Sequence, residues 1–97
     1  MPLYLDEIYL NASSSDNTQK GVALIQQVLK NGFPPGVTLK AGPWASNEEA
    51  KIVLILDIQD HSLTFDGFAK AVGSGTIARR RLTPLVEWSA LEKAMAS

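Results

Sequence analysis

The sequence predicts an α+β fold in which a four-stranded antiparallel sheet carries two helices, in the order βαββαβ, with a short C-terminal helix. Three observations carry this. The apolar period changes from strand-like to helix-like and back twice along the chain, and each change falls at a cluster of Gly, Pro, Ser or Asn. With 97 residues, 45% of them hydrophobic, there is room for one core, so residues 1–97 are read as a single domain.

Residues 3–10, rich in Leu, Ile and Tyr, stop at the turn formers Asn11-Ala12-Ser13-Ser14-Ser15 and form the first strand. Asp16 is the expected N-cap of the first helix, with Gln19 three residues on. Val22, Ile25, Val28 and Leu29 recur at helical spacing until Asn31-Gly32 supplies the C-cap. Phe33-Pro34-Pro35-Gly36 breaks the helix, residues 37–44 read as the second strand, and 45–50 are the polar loop of a hairpin. The third strand, 51–59, is apolar at both parities of the strand period, so both of its faces must be buried. Phe65, Phe68, Ala69 and Val72 share a helical stripe in a second helix that runs from Ser62 to Gly73-Ser74-Gly75. Residues 77–86 form the fourth strand, and Ser89-Ala90-Leu91-Glu92 is a capping box opening the terminal helix to about residue 96.

Right-handed crossovers place strands one and three centrally and strands two and four at the edges, the ferredoxin-like arrangement. The prolines agree, because Pro43 and Pro84 fall only in the two edge strands, where a missing N–H donor is tolerated. Both crossover helices cover one face of such a sheet. The two-faced third strand therefore needs a second cover, and another copy of the chain is the simplest one.

With Pro35-Gly36-Val37 before strand two, Trp44 at its end, Asp57 late in strand three and Pro84 in strand four, the chain resembles the dimeric α+β barrel superfamily and its short uncharacterised members. The resemblance spans roughly residues 3–86. It implies that two sheets face each other in a homodimer, in a superfamily that includes cofactor-independent monooxygenases, lactone isomerases, haem-handling enzymes and proteins without a known reaction.

Composition narrows the partners. Nine Lys plus Arg against ten Asp plus Glu give a net charge of −1, too weak a field to gather nucleic acid or an anionic membrane. The βαββαβ order is shared with RNA-recognition domains, but Ile52-Val53-Leu54-Ile55-Leu56 replaces their aromatic platform. No basic segment precedes the first apolar residues and no run is long enough to span a bilayer, which is the expectation for a cytoplasmic protein. Without cysteine and with one histidine, a metal site would need carboxylates alone, and no metal or cofactor is expected.

The row Ile52, Leu54, Leu56 and Ile58 is expected beneath the helices, leaving Val53, Ile55 and Asp57 to face a partner or pocket, where burial would suit Asp57 to proton transfer or to a basic partner. Arg79 and Arg81 share a face and could bind an anion or pair with Asp6, Glu7 or Asp57, while Arg80 points away. Asp60-His61-Ser62 cannot be a hydrolytic relay, because neighbouring side chains in sequence do not form one, and it reads as helix capping. Tyr4, Tyr9, Trp44, Phe65, Phe68 and Trp88 could line an aromatic pocket, Trp44 foremost because it ends an edge strand. Met1-Pro2 followed by a strand and an amphipathic helix also resembles the tautomerases, which use an N-terminal proline amine as a base. The expectation is thus a homodimeric barrel binding or transforming a small organic molecule, with Tyr4, Trp44, Asp57 and Arg81 as ligand-binding candidates. The alternatives are a structural or interaction module and a tautomerase acting through Pro2.

Overall fold

A computed structural model describes residues 2–96. Strand β1 (Leu3–Leu10) leads to helix α1 (Ser15–Asn31), strands β2 (Val37–Ala45) and β3 (Lys51–Ile58) form a hairpin, and a 3₁₀ turn at His61–Thr64 enters helix α2 (Phe65–Gly73). Strand β4 (Ile77–Leu85) and helix α3 (Trp88–Ala96) complete the chain. The sheet order is β2-β3-β1-β4 with every pairing antiparallel, so the fold is the ferredoxin-like α+β arrangement with an open sheet and a C-terminal helix.

Local chemistry sets the boundaries. Ser14, extended at φ −153° and ψ 159°, caps α1 by accepting the Asn17 N–H on its hydroxyl, a contact typically worth about 1 kcal/mol. Asp16, the expected cap, instead lies in the first turn, where it faces the helix dipole and pairs with Lys20 one turn on at 3.2 Å. At the other end the Gly32 N–H donates to the Val28 carbonyl. The second helix also starts later than its apolar pattern suggests. Asp60 accepts the Ser62 N–H and stabilises a 3₁₀ turn first, and the regular helix begins at Phe65.

Both prolines of the sheet lie in its edge strands β2 and β4. Within β2 the register slips on either side of Ala41, and Gly42 adopts φ +91° before the cis peptide to Pro43. A Cβ there would approach the Val53 carbonyl oxygen to 3.0 Å, so both the backbone angle and the space require glycine.

The core lies between the sheet and the two crossover helices. Leu54, Leu56 and Ile58 of β3 are fully buried with Val37, and Tyr4, Ile8, Phe33, Leu39 and Leu82 pack against them. The helix-facing row is therefore the one expected from the sequence. Helix α1 approaches the sheet through Gly21, where a Cβ would lie 2.9 Å from both the Leu10 side chain and the Thr76 carbonyl oxygen. Strand alternation sends Leu3, Leu5, Glu7 and Tyr9 of β1, with Val53, Ile55 and Asp57 of β3, to the opposite face. Helices α1 and α2 lie on the core side, and every described residue of α3 is exposed. The molecule is correspondingly elongated, at 52 × 31 × 21 Å.

Candidate functional site

Beneath the helices lies a chamber of about 210 Å³. Leu24, Ile25 and Val28 of α1 wall one side, Phe68 and Ala71 of α2 another, and Leu54 and Leu56 form the sheet floor. Into this apolar wall the sheet places one ion pair. Asp6 alternates with Tyr4 and Ile8 on β1, and Arg80 reaches it from β4. The Arg80 Nε donates to Asp6 Oδ1 and its Nη2 to Oδ2, both at 2.8 Å, while Nη1 donates to the Thr64 hydroxyl at 2.7 Å. The two side chains are only 11% and 4% exposed, so this is a buried, two-pronged pair. A neighbouring cavity of about 310 Å³ shares Thr64, Phe68 and Arg80 with the first and adds His61, Ser62, Phe65 and Leu82.

The opposite face of the sheet holds a different set. Lys51 bonds to Glu7 at 2.7 Å and to Glu49 at 3.1 Å, and Lys51 and Arg79 both lie against the Tyr9 ring, the guanidinium carbon of Arg79 only 3.9 Å from its centre. The hydrogen bond from Lys51 holds the Glu7 carboxyl below its ordinary value, and the bonds to Glu7 and then Glu49 raise the Lys51 ammonium. At the far end of this face Asp57, paired across the sheet with Leu3 and Thr38, is 3% exposed. Its Oδ1 is the one buried side-chain polar atom among the described residues that lacks a hydrogen-bond partner.

The four residues expected from the sequence do not form one cluster within the chain. Tyr4 packs into the core on the helix side. Asp57, Arg81 and Trp44 lie on the other face, where Trp44 is 53% exposed opposite Val53 and Arg81 is opposite Glu7. Asp57 neighbours Leu3, four residues from Glu7 along β1, a separation of about 13 Å. His61 is exposed beside the second cavity, next to its capping neighbour Asp60, whose carboxyl the Ser62 N–H holds below the usual range. Pro2 is exposed, and its carbonyl accepts the Ile58 N–H, continuing the ladder of β1.

The sequence reading named Asp6 as a partner for Arg79 or Arg81 and set Arg80 aside, whereas the structure pairs Asp6 with Arg80, and it missed Thr64. A signal was present, because Asp6 has the parity of Tyr4 and Ile8, and a charge on a helix-covered face needs a buried partner. Of the three consecutive arginines, only Arg80 points to that face.

Among the described residues no group of three or more His, Cys, Asp or Glu side chains is arranged to hold a metal ion, and no helix is long and apolar enough to cross a membrane. Neither a protein-family model nor a curated protein matches the chain.

Proposed function

We propose that the protein binds a small organic molecule in the chamber under its helices and acts as a homodimeric α+β barrel, two copies meeting through the open faces of their sheets. The chamber carries the binding reading. The space is a cleft of about 210 Å³ between both helices and the sheet, open to solvent on one side, and a concave apolar lining with a few polar groups at one place is the usual form of a small-molecule site. The reading is one of binding, since both Asp6 carboxylate oxygens are held by the Arg80 guanidinium at the polar end of the space.

Pairing is supported by two surfaces that the single chain leaves without a cover. The open face presents Leu5, Val53 and Ile55 between its charged ends. On α3, Trp88, Leu91 and Met95 follow one another at helical spacing and are 69%, 44% and 74% exposed. A twofold partner of the same sequence supplies an apolar face for these residues. Asp57, Trp44 and Arg81 then belong to the space between the sheets.

Native mass spectrometry of gently purified protein tests both parts. A dimer with retained extra mass is expected. A dimer without it, together with no uptake of added apolar compounds, would leave an interaction module whose working surface is the exposed stripe of α3. A monomer would refute the barrel.

A further inference from the structure

We infer that the molecule taken up by the chamber is neutral, with an apolar body and a carbonyl-type hydrogen-bond acceptor at one end that docks on Arg80. This rests on the binding reading above and names the chemical class of its ligand. A guanidinium carries five N–H donors. Arg80 uses three of them, two on Asp6 and one on Thr64, which leaves one N–H on each terminal nitrogen at the boundary between the two cavities. Arg80, which lines both cavities, thus has donors to spare at the polar end of an otherwise apolar space.

Charge decides what they can accept. The Asp6 carboxylate cancels the guanidinium charge through both of its oxygens inside a nearly buried pair. A second carboxylate or a phosphate at Arg80 would bring an unbalanced negative charge close to Asp6, in surroundings where burying an unpaired ion is costly. A ketone, quinone, ester or amide oxygen accepts the same N–H bonds without that cost. The walls agree, since Leu24, Ile25, Val28, Leu54, Leu56 and Phe68 suit a hydrocarbon or aromatic body. His61 and Ser62 lie in the second cavity beyond Arg80 and place polar groups where the ligand's oxygen-bearing end would emerge.

The test uses two probes of similar shape, 2-acetonaphthone and 2-naphthoate, titrated at pH 7.5 into methyl-labelled protein. The ketone is expected to bind at least tenfold more tightly and to shift the methyl signals of Leu24, Val28 and Leu56 while leaving those of Leu5 and Val53 in place. Asp6→Asn removes the cancelling charge and releases a donor of Arg80, so it reverses the preference toward naphthoate. If the wild-type protein binds naphthoate as tightly as the ketone, the ligand class is wrong and the chamber stands. If neither probe moves a chamber methyl, the binding reading falls with it. The wild-type comparison decides the matter even if Asp6→Asn does not fold.

Discussion

At the scale of single residues, the Asp6–Arg80 pair ties β1 to β4 and, through Thr64, to the turn that enters α2. Removing one member of a buried ion pair strands the other, so Arg80→Met is expected to lower stability by about 3–5 kcal/mol. The double variant Asp6→Leu with Arg80→Met should recover most of that loss, because two apolar side chains need no counter-charge. Urea unfolding of the two singles and the double measures the cycle. The Glu7–Lys51 pair makes a second prediction, in pH. Glu7 is held below its ordinary value of 4.5, so its contribution is complete above that value and is lost as pH falls through the lowered folded one. Lys51 is raised above 10.5, so its contribution is complete below that value and is lost as pH rises through the raised one. Glu7→Gln should therefore flatten the fall in stability between about pH 5 and pH 3, as thermal melts across that range would show. Residue roles were the least legible level in the sequence. Asp57 stood out because it interrupts an apolar strand, whereas Arg80 was hidden between two arginines until the β1–β4 register showed which one turns inward.

Elements were more legible, because periodicity is local. Both helices of the repeat and all four strands follow from apolar spacing and breakers, while the terminal helix, expected from a capping box at Ser89, begins at Trp88 with Ser89 already inside it. The differences arise where side chains compete for one task. Ser14 outcompetes Asp16 as a cap, and the inward side of α2 and its approach is Thr64, Phe68 and Ala71, with Phe65 left 61% exposed. The second helix is short and enters through a 3₁₀ turn, whose tighter winding rotates the stripe that a regular helix from Ser62 would present. Gly21 was also silent in the sequence, because its role is a close approach between α1 and distant parts of the chain. In an open helix Gly21→Ala would stabilise, but here the methyl meets a backbone oxygen. The expected outcome is a loss of about 1–3 kcal/mol, read by denaturant unfolding, and its size reports how firmly α1 is held against the sheet.

At the scale of the whole molecule, sheet order and edges were readable because right-handed crossovers leave little choice. The chamber was not, since it depends on how far two helices stand from the sheet, a distance no local pattern encodes. The two-faced β3 was the clearest global signal. On the proposed pairing, Ile55→Lys puts a charge in the middle of the open face and is expected to turn a dimer into a folded monomer, seen as a lighter species by sedimentation with an unchanged circular dichroism spectrum. Unfolding instead would place Ile55 in the core of the subunit.

Both rims of the sheet are spoiled for growth. Pro43 and the bulged register in β2, and Pro84 in β4, deny an incoming strand a continuous ladder. Self-association through the sheet's flat side, unlike edge-to-edge addition, uses up that surface in one event. If two copies pair through that face as proposed, raising the concentration should drive the population to a finite plateau, without the lag and elongation of a fibril, even though the strands themselves are rich in Ile, Leu and Val.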